Sequence, residues 1–332
     1  MTRPHILKND ALEALALSPD FAGVLGPGAE MPLLAVDLAE ASPDVLKALA
    51  HAPCPLIGVG ATGPEDEKDA AATPCDCLVK DERELARLWA NVAKAPLASM
   101  VLVQLIRTTY NLEPADALLM ESFAYATVQR GAEFTDWRET SPPARPRRHS
   151  TDDCLLVSRE RQTLSITMNS AATRNEIDRS MRDALCEAFQ LAQTDKTIGS
   201  ITLSANGDAF SVGGAVHEFG SVADPATAHW IRSLRLPAKY ALQLSDKLRV
   251  RINGAAIGAG VEIAAFAGNL SASPRAWFQL PELKYGLIPG AGGTVSIARR
   301  IGRQQFIYLA LSMKRLRAHE ALSWGLVDAV EE

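Results

Sequence analysis

The sequence predicts an α/β protein, and three features predict it. Short apolar runs at 32–38 (PLLAVDL), 55–60 (PLIGVG) and 75–80 (CDCLVK) are strand-like, with a helix-like segment at 44–52 between the first two. A strand, helix, strand order returns around 198–204, 249–252 and the apolar segment that follows Glu262. Such alternation lays parallel strands in a sheet beneath covering helices. The third feature is a stripe at the helical period, Leu85, Leu88, Trp89 and Val92, in DERELARLWANVAKA.

Taken in order, residues 1–80 form an N-terminal α/β segment. Gly58, Gly60 and Gly63 spell GxGxxG after a strand, but the acidic PEDEKD that follows suits a loop and not a pyrophosphate site. Residues 81–138 are helical: Pro96 opens a second helix, and Pro114 punctuates before a third, ADALLMESFAYATVQRG, whose charges are read as solvated. Residues 139–150, ETSPPARPRRHS, are a linker, and its Arg145, Arg147, Arg148 and His149 a solvated tether. Residues 151–332 begin with a hairpin (154–157 and 163–168), an amphipathic helix (174–194) and a buried strand (198–204).

Composition sets the frame for function. The 332-residue chain is 47% hydrophobic and 22% charged, which is the make-up of a folded globular protein of one to two domains. Its net charge of −5 offers no general attraction to nucleic acid or to an acidic membrane surface. The first ten residues, MTRPHILKND, lack an apolar core, and the run 96–106 is too short to cross a bilayer. A cytoplasmic protein without nucleic-acid or membrane partners is therefore expected. Cys54, Cys75, Cys77, Cys154 and Cys186 are scattered and odd in number, as reduced thiols are, and no metal site is expected.

The chemistry concentrates in RINGAAIGAGVEIAAFAGNLSASPRAWFQLPELKYGLIPGAGG, residues 251–293. A small-residue turn, Gly254 to Gly260, runs into an apolar segment that carries one charge, Glu262. A second carboxylate, Glu282, follows Pro281, and a second Gly-rich turn spans 289–293. Small residues at 258–260 let backbone approach a ligand, and a turn that opens a helix aims free N–H groups outward. A second loop of this kind, Ser211 to Ala215, follows the anchoring Phe210. Two such N–H donors stabilise an enolate or tetrahedral oxyanion, and two glutamates can share a water between them. Together they point to water addition beside an activated carbonyl.

From Cys154 to Val330 the chain resembles the crotonase (enoyl-CoA hydratase/isomerase) superfamily. The resemblance rests on NSAATRNEIDRSMRDAL, ITLSANGDAFSVGGAVHEF, INGAAIGAGVEIAAFAG, FQLPELKYGLIPGAGGT and RIG…AHEALSWGLVDAV, in family order and spacing. It implies a ββα spiral core, with oxyanion donors on the N–H groups of Gly214 and Ala259 and hydratase glutamates at Glu262 and Glu282. Arg174, Ser211, Val212, Gly213 and Gly258 are implied to contact the substrate. The substrate is then an acyl-CoA and the reaction the hydration of a 2-enoyl thioester, with coenzyme A entering only as part of the substrate and no other cofactor. A homo-oligomer, trimer or hexamer, is likewise implied. Only the N–H of Gly214 matters in this scheme, so alanine there is expected to be tolerated. Isomerisation, acyl-CoA hydrolysis and a non-catalytic acyl-CoA-binding subunit are the alternatives, and retention of both glutamates argues against the last.

Two departures from the family pattern stand out. The usual acidic position after Gly214 is Ala215, and the helical tail expected after GLVDAV is missing before Glu332. The segment from Cys77 to Trp137 resembles that tail, set in front of the core instead of behind it. His217 is expected on the surface, Trp277 and Phe278 in the core, and the 289–293 turn as a helix start without the lysine of a phosphate cradle.

Overall fold

The computed structural model describes residues 4–331 except 20, 22, 61–72, 142–152 and 223. Gly63, the acidic loop after it and the basic cluster at 145–149 lie outside the described residues. Near the N-terminus, β1 (Ile6–Leu7), β2 (Leu34–Asp37), β3 (Leu56–Val59) and β4 (Cys77–Val79) form one parallel sheet in that order. Side chains of β2 alternate across it, as the two-residue period of a strand requires. Leu34 and Val36 pack under α1 (Asn9–Ala16) and α2 (Pro43–Ala48), while Ala35 on the opposite face joins the main core.

Four helices follow: α3 (Glu82–Val92), α4 (Pro96–Thr109), α5 (Pro114–Val128) and α6 (Ala132–Thr140). The predicted stripe of α3 is buried at every position, Leu85, Leu88, Trp89 and Val92. Asp81 caps its first turn by accepting from Glu84 N–H, and proline opens both α4 and α5, where a missing N–H costs nothing. Glu139 and Thr140, read as the start of a linker, instead complete α6. Among the described residues no single helix is long and apolar enough to cross a membrane.

Two further sheets build the C-terminal half. One has the order β14-β11-β9-β7-β6-β5: Ala329–Val330, Asn269–Ala272, Leu248–Ile252, Ser200–Ala205, Thr163–Met168 and Leu155–Glu160. The other has the order β13-β12-β10-β8: Leu316–Arg317, Trp277–Gln279, Ala255–Ile257 and Ala209–Ser211. The chain lays β7 in the first sheet and β8 in the second, then β9 and β10, then β11 and β12, so each pair is one turn of a spiral. Strand pairing between successive turns is parallel.

The stretch read as a turn, 254–260, holds the three-residue strand β10 at its centre and the first two residues of a helix at its end. Small side chains make this pairing close: a Cβ on Gly254 would lie 2.0 Å from the Asp208 carbonyl oxygen. The helix expected over 174–194 begins instead at Arg179, as α7 (Arg179–Thr194), because Arg174 and Asn175 adopt left-handed φ of 56° and 54° and Asp178 caps the start. The remaining helices are α8 (Pro225–Leu234), α9 (Pro237–Gln243), α10 (Ala259–Ala264), α11 (Gly293–Ile301), α12 (Arg303–Ser312) and α13 (Ala318–Ser323).

The helical segment is not a separate body. Helices α3 and α4 pack on α12, while α5 packs on α8 and α11. A single cluster of buried side chains runs from Leu33 through Leu118 and Phe134 to Val327.

Candidate active site

The site is a cavity of about 500 Å³ bordered by the loop after β8, the start of α10 and the turn after β12. Gly258 makes its floor possible. Its φ of 48° and ψ of −124° favour glycine, and a Cβ there would lie 2.7 Å from Glu282 Oε1. The next residue, Ala259, is the first of α10, so its N–H precedes the internal ladder. Across from it, Gly213 adopts a φ of 89°, with a virtual Cβ 2.7 Å from the Ile257 carbonyl oxygen. The loop is pinned by Ile177 N–H donating to Gly213 and Ala215 N–H donating to Ile177. Among the described residues neither Gly214 N–H nor Ala259 N–H donates to protein, and both residues line the cavity.

Glu262 sits on the first turn of α10 and is 2% exposed. Its Oε2 accepts from Ala291 N–H at 2.7 Å and from Gly293 N–H at 2.8 Å. Burial, then the neighbouring Glu121 charge, push its carboxyl up to about 8, while the two N–H donors and Arg232 pull the other way. Glu282 is partly covered as a residue and faces the cavity, yet its Oε2 is buried without a hydrogen-bond partner among the described residues. Burial first, then the Glu262 charge, hold its carboxyl well above the ordinary value. Elevated carboxyl pKa values from desolvation and a like neighbour mark acid/base sites.

Of the predicted contacts, Val212, Gly213, Gly214, Gly258, Ala259, Glu262 and Glu282 come together around the cavity. Two do not line it. The Ser211 hydroxyl is buried, donating to the Asn175 carbonyl and accepting from Gly213 N–H, so it shapes the loop from behind. Arg174 is exposed, and its carbonyl accepts from Val212 N–H. Arg179, Arg182 and Arg235 line the cavity instead. His217 lies 3.8 Å from Glu176 and does not line it, while Phe278 is fully buried and Trp277 half-buried under Arg315. The expectation for Gly214→Ala changes as well: the added Cβ would stand 2.9 Å from two Phe219 ring atoms, so that ring must move.

One residue escaped the sequence reading. Glu121 on α5, taken there as one of a set of solvated charges, is fully buried beside the site. It accepts from Gly292 N–H at 2.9 Å, Thr294 N–H at 3.2 Å and the Thr294 hydroxyl at 2.6 Å. The 289–293 turn is thus a cradle, for carboxylates and not for phosphate. Tyr125, one turn along α5, lines the cavity beneath the Arg232 guanidinium, 4.3 Å from its ring centre. A glutamate among apolar residues at helical spacing was the only signal, and it is a weak one.

A spiral of paired strands that brings two carboxylates into one cavity with two N–H groups unengaged among the described residues is the architecture of a crotonase-superfamily enzyme. The sequence profile of the enoyl-CoA hydratase/isomerase family matches residues 158–331, and the chain belongs to that family. It is 32% identical over 177 residues to the 2,3-dehydroadipyl-CoA hydratase of Escherichia coli K12, covering 53% of this chain and 68% of that one. It is also 32% identical over 173 residues to a probable mitochondrial enoyl-CoA hydratase of Dictyostelium discoideum, of which it spans 59%. A solved enoyl-CoA hydratase/isomerase from Marinobacter aquaeolei superposes with a TM-score of 0.50 at 27% identity, over 55% of this chain and 71% of that one.

Proposed function

We propose that the protein adds water across the double bond of a 2-enoyl-CoA thioester. The observation that carries this reading is that Glu262 and Glu282 share one cavity with the two unengaged N–H donors. The thioester oxygen accepts from Gly214 N–H and Ala259 N–H, which stabilises the enolate that forms. Glu262 acts as the base, since two N–H groups favour its ionised form; it takes a proton from water as the oxygen bonds to C3. Glu282, whose carboxyl keeps its proton, delivers it to C2. Exchange of the gained proton for the lost one resets the pair. The step needs only water and these groups, so coenzyme A enters as part of the substrate, its phosphates met by Arg179, Arg182 and Arg235.

Two finer points belong to the same reading. A homo-oligomer, trimer or hexamer, is supported by exposed apolar side chains on α5 and α8, Phe123 at 47% and Trp230 at 60%. A cytoplasmic enzyme is the compartment inferred, in keeping with five unpaired thiols.

The test is purified protein with crotonyl-CoA, following loss of the conjugated enoyl-thioester absorbance. Glu262→Gln and Glu282→Gln should each lose ~10²–10⁴-fold in kcat while still binding acyl-CoA. Activity of the wild-type protein should climb with pH toward about 8 as Glu262 loses its proton. Near-normal turnover in both variants would defeat the two-carboxylate mechanism, and normal turnover in one alone would point to isomerase-like chemistry.

A further inference from the structure

Four successive N–H groups of one turn are shared between two carboxylates in alternation. Ala291 and Gly293 donate to Glu262 Oε2, while Gly292 donates to Glu121 Oε1 and Thr294 to Glu121 Oε2. Each peptide plane is rigid and only φ and ψ join it to the next, so holding the Gly292 and Thr294 N–H groups restricts the directions open to the Ala291 and Gly293 N–H groups that alternate with them. Glycine is needed at the centre of this comb, where Gly292 has a φ of 104° and a Cβ would lie 2.5 Å from the Phe266 ring. The other end of the turn is held by Arg232, which donates to the Gly290 carbonyl and to the Ser122 hydroxyl and lies 3.9 Å from Glu121 Oε1. Glu121 itself is fully buried and does not line the cavity, so it does not touch substrate.

We propose that Glu121 is a positioning residue of this active site: by accepting from Gly292 and Thr294 it locks the 290–294 turn in the orientation that aims the Ala291 and Gly293 N–H groups at Glu262. The assignment deepens the hydratase reading and rests on Glu262 being its base. Glu262 faces Glu121 and Tyr125 from α5, Arg232 from α8 and Glu282 from the turn after β12. Replacing Glu121 by a neutral residue would therefore change both charge and geometry. Glu121→Asp separates the two, because it keeps the charge but withdraws the carboxylate by one methylene.

In Glu121→Asp, kcat on crotonyl-CoA should fall about 10- to 100-fold with KM within about threefold, the scale of a small misplacement in an active site. The rising limb of its pH profile should move to higher pH, because an ionised Glu262 that loses N–H donors is less favoured. A second readout needs no activity: titration of ¹³C-labelled glutamate carboxyls by NMR, with the Glu262 signal identified by its loss in Glu262→Gln. Its midpoint should rise in Glu121→Asp. A wild-type protein inert toward crotonyl-CoA would overturn the hydratase reading and leave the NMR titration to judge Glu121. A folded Glu121→Asp with unchanged kcat and unchanged midpoint, or with a lowered Tm alone, would overturn the positioning role. Should that variant not fold, Thr294→Val removes only the 2.6 Å hydroxyl contact. It should raise the midpoint less, and an unmoved midpoint would count against the proposal.

Discussion

Two regions of the molecule bury carboxylates, and they treat them in opposite ways. Beneath the N-terminal sheet, Asp76 is fully buried and completely engaged. Its Oδ2 accepts from Leu56 N–H at 2.8 Å and from Arg107 Nη2 at 2.5 Å, and its Oδ1 accepts from Arg107 Nε at 2.8 Å. The same guanidinium also reaches the Ala52 and Cys54 carbonyls, stitching α4 to the strand ends. At the cavity, Glu282 has a buried oxygen with no partner among the described residues and two other glutamates nearby. Full pairing makes a charge structural, whereas a carboxyl left short of partners stores a proton that chemistry can use.

The largest effect that would sharpen this contrast concerns the helices that link the two regions. A chain of residues 150–332 alone would expose the side chains of α11 and α12 that α3, α4 and α5 cover. It should aggregate, and co-expression of residues 1–140 should restore soluble, active protein. We propose on the same grounds that residues 82–138 pack on the core in the place of the family's C-terminal helices. A well-behaved, active 150–332 fragment would rule this out.

Next in size, Asp76→Asn leaves the partly buried Arg107 without its counter-charge and should cost about 3 kcal/mol of stability. Below its melting range the kcat should stay unchanged, because neither residue lines the cavity. A large loss of kcat in the cold would show that the two regions are coupled after all.

The smallest effect runs in the opposite direction. Above the ordinary carboxyl value of 4.5, folded protein keeps a proton on Glu282 that the unfolded chain has lost. Stability therefore falls as pH rises from about 4.5 toward the elevated folded value, by about 1.4 kcal/mol per unit of elevation. Glu282→Gln removes that carboxyl's share of the slope and leaves the share of Glu262. It should match the wild type in denaturant unfolding near pH 4 and exceed it at pH 8, while being nearly inactive. A Glu282→Gln that is less stable than wild type at pH 8 would show that this carboxyl is paired like Asp76.

Local pattern carried much of this protein. The apolar run in PLLAVDL, the stripe of α3, the prolines that open α4 and α5, and the lone charge in GVEIAAFAG each follow from periods and backbone constraints within a few residues. They were legible for that reason. The start of α7 was misplaced because left-handed φ at Arg174 and Asn175 is set by the loop they support, with Arg174 accepting from Val212 and Asn175 from Ser211. Small residues at 254–260 suit a turn as well as a strand, and only the pairing with β8 and β12 makes 255–257 a strand.

The sequence by itself determined the strand-like runs of residues 32–80, the stripe of α3, the family motifs and the nomination of Glu262, Glu282, Gly214 and Ala259 as candidates, since each depends on neighbours along the chain. Only the tertiary structure decided that Arg179, Arg182 and Arg235, and not Arg174, line the cavity, and that Ser211 stands behind the loop. It alone decided the fate of Glu121, which meets Gly292 across 171 residues of sequence. Whether a helix glutamate is solvated or buried depends on what packs over it, and here that partner is a distant turn whose N–H groups need an acceptor.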